Sequence, residues 1–169
     1  MRILGIDPGI ATVGLGFIEV HDRDRFQSIE WATITTKPNQ PLSIRLRELC
    51  DDLHQFLTDL KPEVAVMERL FFAKNRTSAM NVAQARGAII TVLEQHGIPL
   101  LEPSPLELKL SITSDGKADK RQMQDMVVRT LKLSEIPSPD DAVDALAMAL
   151  YGAFHKETTN ANFQMTNKR

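Results

Sequence analysis

Hydrophobic residues in the first part of the chain gather in three short runs, each followed by residues that break regular structure. Pro8-Gly9 follows the first run, the polar segment 21–25 follows the second, and a loop with two prolines follows the third. Runs of this length, rich in aliphatic residues and bounded by such breaks, are typical of β-strands. The pattern therefore predicts an antiparallel meander of three strands, at Arg2–Ile6, Val13–Val20 and Phe26–Thr36.

The hydrophobic spacing then changes to three and four residues, which predicts amphipathic helices. Leucine and phenylalanine recur in this way through residues 43–60, and Pro62 ends the segment. A fourth apolar run then predicts a strand that reaches the sheet by a right-handed crossover and runs parallel to an earlier strand. The later elements alternate between the two patterns. They are strands at Glu63–Glu68 and Ile98–Leu101 and helices at 77–95, Lys120–Leu131 and Asp140–Phe154.

Three segments follow neither pattern. Residues 69–76 are expected to connect two elements, residues 111–119 to form a mobile loop, and the polar tail from Lys156 to be disordered. The chain of 169 residues fits one domain, which we place at 1–156 with the tail at 157–169. The fold class is α/β, with a five-stranded mixed sheet flanked by helices.

Composition limits the class of protein. Hydrophobic residues make up 43% and charged residues 25%, which is ordinary for a globular chain. The apolar runs are much shorter than the roughly 20 residues of a bilayer span, so no membrane association is expected. The N-terminus leads directly into a strand, which is not the pattern of a secretory signal. Cys50 is the single cysteine and cannot form an internal disulfide, which favours a reduced, cytoplasmic setting.

Charge is distributed unevenly along the chain. The net charge is −2, which argues against a protein that simply coats nucleic acid. Residues 69–132 are nevertheless rich in lysine and arginine, whereas the segments on either side are acidic. The basic segment could form a phosphate-binding face or an ordinary solvated surface, and charge alone does not decide between them.

Four acidic residues lie at positions that the predicted fold could bring together in one site. Asp7 and Glu68 stand at the predicted ends of strands, where ligands collect in open α/β sheets. Asp141 and Asp144 are three residues apart and share one helix face. Simpler explanations exist: Asp7 suits a turn, and Asp141 suits the start of a helix. They account less well for Asp144, because a carboxylate in an otherwise apolar helix needs a partner or a metal.

The ligand types indicate which metal such a site would hold. Carboxylate oxygens without a cysteine or histidine cluster favour Mg²⁺ or Mn²⁺ over zinc. The histidines at 21, 54, 96 and 155 are scattered and show no zinc-binding spacing. Two such ions, roughly 3.5–4 Å apart, can clamp the attacking and leaving oxygens of a phosphodiester. These residues favour a magnesium-dependent nuclease.

Five sequence blocks together resemble the RuvC family of bacterial Holliday-junction resolvases. They are ILGIDPGIATVGLGFI, MERLFFAKN, AQARGA, GKADKRQMQDMV and DDAVDALAMAL, in the family's order and spacing over about residues 2–155. The resemblance implies a ribonuclease-H-like fold. It implies that Asp7, Glu68, Asp141 and Asp144 bind two Mg²⁺ ions per subunit, which Mn²⁺ could replace. The implied reaction is resolution of four-way DNA junctions by paired symmetric nicks, leaving 5′-phosphate and 3′-hydroxyl ends.

The resemblance also implies roles for basic and aromatic residues. Lys109 and Lys120 match lysines near the scissile phosphate, where a cation offsets developing charge. The first aromatic side chain after the catalytic glutamate, that of Phe71, would stack on an opened base, although phenylalanine is more often buried in a core. Solvated surface is the alternative for the basic residues among the remaining DNA contacts. These candidates are Phe71, Phe72, Arg76, Lys117 and Arg121.

The implied partners follow from the substrate. A four-way junction has two strands to cut, so the family acts as a homodimer, which is the commonest kind of oligomer. The predicted helix at 77–95 would supply the interface or simply pack in the core. A RuvA–RuvB branch-migration complex would deliver the junction. Two positions depart from the family pattern, because Ser114 replaces a loop glycine and Asp140 adds a carboxylate beside Asp141.

Three other classes of function fit the sequence less well. The segments GIDPG and T-x-G-x-G are typical of phosphate loops in two-lobed ATPases, but 169 residues are too few for two lobes. A junction-binding scaffold without catalysis would not need four intact carboxylates. A related nuclease acting on RNA fits less well with the lysines and the DAVDA segment.

Overall fold

The structure is a computed structural model that describes residues 1–22, 25–70 and 76–155. Within these ranges the chain forms five strands and five helices. The strands are β1 (Arg2–Asp7), β2 (Thr12–Asp22), β3 (Arg25–Thr35), β4 (Val64–Met67) and β5 (Leu100–Leu101). The helices are α1 (Leu42–Leu60), α2 (Arg76–Gln95), α3 (Pro105–Thr113), α4 (Lys120–Leu131) and α5 (Asp140–Phe154).

The described strands form one mixed sheet in the order β3-β2-β1-β4-β5. The pairs β1–β2 and β2–β3 are antiparallel, whereas β1–β4 and β4–β5 are parallel. The meander of three strands and the parallel crossover to β4 are both confirmed. The crossover helix α1 leads from the outer strand β3 to β4, on the other side of the central strand β1.

Alternation along the strands divides the core into two parts. In β1, Leu4 and Ile6 face one side of the sheet and Ile3 faces the other. Helices α1 and α2 cover the first side, where Leu49, Leu53, Leu57, Ala85, Ile89, Val92 and Leu93 are buried. Helix α5 covers the second side together with residues of α3 and α4, namely Leu108, Ile112, Val127 and Leu131.

Helix α5 lies unusually close to the sheet because glycines line the strands beneath it. A Cβ atom built on Gly5 would lie 1.8 Å from the carbonyl oxygen of Ala145. One built on Gly14 would lie 2.0 Å from the carbonyl oxygen of Asp141, and one on Gly16 would lie 2.6 Å from a backbone nitrogen of α5. The helix backbone therefore occupies the space that side chains would fill at these strand positions.

Helix α3 was missed by the sequence analysis, and the predicted loop at 111–119 is wrong for its first three residues. The helix has recognisable sequence signals: Ser104 caps it, Glu107 completes a capping box, and Pro105 occupies its first turn. Ser104 Oγ accepts a hydrogen bond from the Glu107 N–H at 3.2 Å, and Glu107 Oε2 accepts one from the Ser104 N–H at 2.7 Å. With only nine residues, the helix is too short to show a repeated leucine spacing, so hydrophobic periodicity does not predict it.

Ser114 ends α3 in a left-handed conformation, with φ of 60° and ψ of 11°. Glycine adopts this conformation without the steric cost that a side chain brings. This conformation explains why the family pattern has a glycine at this position. Ser114 adopts the conformation although it has a side chain.

Several other predicted boundaries differ slightly from the structure. The polar turn predicted at 21–25 is shorter, because residues 21, 22 and 25 belong to strands. Helix α2 begins at Arg76, so that residue is not part of the connector. The predicted tail at 157–169 and its boundary at residue 156 lie outside the described residues. Within the described part of the chain, no helix combines the length and hydropathy needed to cross a membrane.

Replacing Gly5 with alanine is expected to destabilise the fold by about 1–3 kcal/mol or more, because the new methyl group overlaps helix backbone that cannot rotate away. Gly87→Ala in α2 is the matched control, since a Cβ atom there meets nothing within 4 Å. That change should be neutral or stabilise the helix by up to about 1 kcal/mol. Urea unfolding measures both variants, and equal stability of the two proteins would contradict the close packing of α5.

Candidate active site

Asp7 and Glu68 lie side by side at one edge of the sheet. Asp7 ends β1, and Glu68 directly follows β4. The parallel register places Ile6 opposite Met67, so the next residue on each strand projects from the same edge. Strand alternation also gives both side chains the same face as Ile3 and Val66, which is the face covered by α5.

Helix α5 brings two further carboxylates to this edge. The carbonyl oxygen of Asp141 lies above Gly14, and Gly14 pairs with Asp7 across β1 and β2. Asp144 is three residues further along the same helix and is partly buried. The absence of side chains at the strand glycines therefore allows the first turn of α5 to approach Asp7.

A cavity of about 250 Å³ opens where the sheet edge meets α3, α4 and α5. Its lining includes five of the six predicted catalytic residues, and the side chain of Asp141 is not part of it. The cavity has a charged side and an apolar side. The charged residues are Asp7, Glu68, Lys109, Asp119, Lys120 and Asp144, and the apolar ones are Pro105, Leu108, Met123, Ala147 and Met148.

Asp7 is the electrostatic centre of the site. The pKa of Asp7 is raised from 3.8 to about 7, and burial is the largest cause. The negative charges of Asp144, Asp141 and Glu68 contribute to this rise, and Lys120 only partly offsets them. The other three predicted carboxylates are thus close enough to repel Asp7, although Asp141 lies outside the cavity.

The other carboxylates share this environment. Burial raises the pKa of Glu68, the Asp144 charge adds to the rise, and Lys109 and Arg86 lower it. Burial also raises the pKa of Asp144, whereas Lys120 lowers it. A buried set of carboxylates that resist ionisation together is typical of a functional site, because structural packing alone does not need such charges.

Lys120 stands at the mouth of the cavity between two acids. Its Nζ lies 3.1 Å from Asp140 Oδ2 and 3.3 Å from Asp144 Oδ2. The hydrogen bond to Asp140 is the largest cause of the raised pKa of Lys120. Asp140 neither joins the cavity lining nor contributes a side-chain cap, so in this structure its role is to pair with Lys120.

Arg86 holds the backbone of Glu68 in place and is not among the site residues predicted from the sequence. Its side chain is 9% exposed and donates one hydrogen bond to the carbonyl oxygen of Glu68 at 2.6 Å. It also forms an ion pair with the Glu102 carboxylate. Arg86 thereby ties α2 to the segments that follow β4 and β5. The run AQARGA contained this residue, but a buried role for one arginine in a basic segment has no separate signal in the sequence.

The predicted DNA contacts are only partly described. Lys117 and Arg121 are exposed beside the α3–α4 connection, close in sequence to Lys120. Arg76 is the first residue of α2, and its side chain is not described. Phe71 and Phe72 lie outside the described residues, so the choice between base stacking and core packing stays a prediction.

The donor set fits a hard divalent cation. Four carboxylates supply only oxygen ligands, and their mutual repulsion would be relieved by positive charge. The Lys120 ammonium already provides one such charge at Asp144. As the side chains stand, however, no three Asp, Glu, His or Cys residues in the described ranges converge into a ready-made metal group. The carboxylates lie at one edge of the sheet, but in the described ranges their oxygens do not converge on a single position for an ion.

The histidines are not all scattered, which corrects the sequence interpretation. His54 of α1 and His96, just after α2, lie with Nδ1 and Nε2 2.8 Å apart. Their rings stack at a tilt, with centroids 5.0 Å apart. They belong to the helices on the sheet face opposite α5, so they are not part of the carboxylate site.

Asp7→Asn is expected to stabilise the protein in EDTA, and more so at pH 8 than at pH 5. With a pKa raised from 3.8 to about 7, folded Asp7 keeps a proton that the unfolded chain releases between these values. The free energy of unfolding therefore falls as the pH rises through this window, by up to about 4 kcal/mol above pH 7. Asparagine removes that loss. The stabilisation is measured by urea unfolding at both pH values, with Asp52→Asn at an exposed position as control. An equal stabilisation by Asp7→Asn at pH 5 and pH 8 would contradict the burial of Asp7.

Arg86→Met is expected to destabilise the protein by about 1–3 kcal/mol, because it leaves a partly buried carbonyl oxygen of Glu68 without its donor. Arg47→Met, at an exposed position of α1, should change stability by less than about 0.5 kcal/mol. A double-mutant cycle with Glu102→Gln isolates the ion pair. Strict additivity of the two changes would show that Arg86 and Glu102 do not act together.

Comparisons with known proteins agree with this arrangement. The family model for the crossover junction endodeoxyribonuclease RuvC matches residues 3–152. The protein of that name from Chloroflexus aurantiacus is 45% identical over 158 residues, covering 94% of this chain and 96% of the relative. The one from Thermotoga maritima is 44% identical over 149 residues, covering 88% of each chain.

A solved structure shows the same fold. T. thermophilus RuvC in complex with a Holliday junction substrate matches this structure with a TM-score of 0.88 and 30% sequence identity. The match covers 94% of this chain and 96% of that chain. The expected ribonuclease-H-like fold is therefore confirmed. With a family model spanning most of its length and relatives above 40% identity, this chain belongs to the RuvC family of crossover junction endodeoxyribonucleases.

Proposed function

We propose that this chain resolves Holliday junctions in recombination and DNA repair, by paired symmetric nicks that leave 5′-phosphate and 3′-hydroxyl ends. One observation carries the proposal: acidic residues from two adjacent parallel strands and from α5 meet at the sheet edge, beside two lysines, in an open cavity. This set of charges suits a phosphodiester, because it offers oxygen ligands for cations and ammonium groups for the phosphate.

Nucleases of the RuvC family are metal-dependent, and we propose two Mg²⁺ ions per subunit here, replaceable by Mn²⁺. Asp7, Glu68, Asp141 and Asp144 would hold them. When bound, such ions supply Lewis acidity that lowers the pKa of water and neutralises charge on the attacking and leaving oxygens. Asp7 gains most from their presence, since burial and three neighbouring carboxylates otherwise hold its pKa at about 7.

The lysines act from the two helices across the cavity. Lys109 projects from α3 and Lys120 from the first turn of α4, and both line the cavity that contains Asp7. An ammonium group placed there would stabilise the negative charge that develops on the phosphate. Leu108, Met123 and Met148 form an apolar side that excludes water from part of the cavity and strengthens these interactions.

The proposed DNA contacts extend from this cavity along the protein surface. Lys117 and Arg121 are exposed near Lys120 and would contact the DNA backbone, as would Arg76 at the start of α2. Phe71 would stack on a base opened at the crossover, with Phe72 as a further DNA contact. The contacts of the basic residues would neutralise phosphate charge and therefore weaken as the salt concentration rises.

We propose that the enzyme is a homodimer, since one active site cuts one strand. Helix α2 has a face suited to the interface. Its Ala85 and Ile89 pack in the core, whereas Met80, Gly87 and Ile90 are exposed on the other side, with Met80 63% and Ile90 38% exposed. We further propose that a RuvA–RuvB branch-migration complex presents the junction, and that the reaction takes place in the cytoplasm.

The proposed activity is tested by cleavage of a labelled four-way junction, with linear duplex and an RNA hairpin beside it, in Mg²⁺, Mn²⁺ or EDTA. We expect symmetric nicks confined to the junction that require a divalent ion. Asp7→Asn should lower the cleavage rate by at least about 10³-fold, because groups acting as one unit fail together. Junction binding should be retained or improved, since repulsion between the protein and the phosphates falls.

Two outcomes would contradict the proposed function. Tight junction binding without cleavage in any metal would favour a scaffold, and cleavage of RNA alone would indicate a related nuclease of the same fold. An Asp7→Asn protein that cuts at the normal rate would remove Asp7 from the mechanism. Asp52→Asn, at an exposed position of α1, controls for the loss of one negative charge.

A further inference from the structure

Asp140 and Lys120 form an ion pair at the mouth of the cavity that stability does not explain. Asp140 is 67% exposed and Lys120 is 54% exposed at their side chains. Exposed pairs of this kind add little to the free energy of folding. The position of the pair is more informative, because the same Lys120 ammonium also lies 3.3 Å from Asp144, which lines the cavity.

The two acids are arranged so that one lysine can pass between them. Asp140 and Asp144 are four residues apart on α5 and therefore lie about one helical turn, roughly 6 Å, from each other along the axis. Lys120 begins α4, whose first turn is fixed by the Asp119–Gln122 capping box. The backbone of Lys120 is thus held in place while its flexible side chain spans both acids.

We propose that Asp140 is a positioning residue, which retains Lys120 at the mouth of the cavity when a divalent ion takes Asp144. This inference rests on the proposed function. A cation at Asp144 repels the Lys120 ammonium, so the lysine must give up its 3.3 Å contact. With Asp140 present, the ammonium keeps a carboxylate partner at 3.1 Å and stays beside the scissile phosphate.

Without Asp140, the lysine has two poorer choices. It can remain on Asp144 and compete with the divalent ion, or it can move into solvent, where its side chain is disordered and loses its charge partner. In both cases a divalent ion can bind only by breaking the Lys120–Asp144 ion pair, and no second carboxylate then receives the ammonium, so ion binding becomes less favourable. Removal of Asp140 should therefore weaken divalent ion binding, and it should do so only when Lys120 is present.

The test is a double-mutant cycle read by direct binding of Mn²⁺, measured by electron paramagnetic resonance without DNA. We compare the wild type, D140N, K120Q, D140N/K120Q and the conservative variant D140E at 0.15 M salt. D140N should weaken Mn²⁺ binding about two- to fivefold, which is the range expected for a partly exposed ion pair. In the K120Q background the same substitution should change binding by less than about 1.5-fold, because the partner is already gone.

A direct effect of the Asp140 charge on the ion would instead weaken binding equally in both backgrounds. That result, or unchanged binding by D140N, would overturn the proposal. D140E keeps the carboxylate and should bind Mn²⁺ like the wild type, so binding as weak as that of D140N would also overturn it. Junction cleavage by the wild type is followed in parallel. If cleavage fails while the coupling persists, only the proposed function is lost.

Discussion

The close contact between α5 and the sheet is the constraint on which the rest of the structure depends. Gly5, Gly14 and Gly16 remove the side chains that would otherwise hold the helix at the usual distance. The helix can then bring its acidic first turn to the end of β1. A carboxylate from the strand and two from the helix meet there only because the backbones touch, so the packing of the core and the chemistry of the site have one cause.

The carboxylates repel one another, and a bound cation would relieve this repulsion. Burial and mutual repulsion hold the pKa of Asp7 at about 7, although Lys120 acts against this. Cations from three helices act on the other acids: Lys109 and Arg86 lower the pKa of Glu68, and Lys120 lowers that of Asp144. The protein thus tolerates the acids with its own cations while leaving room for a divalent ion. Such a balance favours function over stability, as is common at active sites.

Much of this architecture could be predicted from local patterns. Strand runs, leucine spacing and prolines located every strand and every helix except α3 in the described part of the chain, and most of these elements repeat their signal over several residues. Helix α3 has only nine residues, and its information lies in a capping box rather than in periodicity. The four acids could be found because Asp7 and Glu68 stand at the ends of recognisable strands, and Asp141 and Asp144 share one face of a recognisable helix. The pairing of Asp140 with Lys120 and the burial of Arg86 depend on contacts between distant segments, which no local pattern encodes.

We propose that α5 and the two strands bring four carboxylates together to bind divalent ions. Anomalous diffraction from crystals of the protein grown with Mn²⁺ tests it most directly, because the signal locates the metal independently of any catalytic assay. We predict anomalous peaks at the sheet edge within ligand distance of Asp7, Glu68, Asp141 and Asp144, with Lys120 displaced from Asp144. Peaks elsewhere on the protein, or none at these carboxylates at saturating Mn²⁺, would contradict the claim.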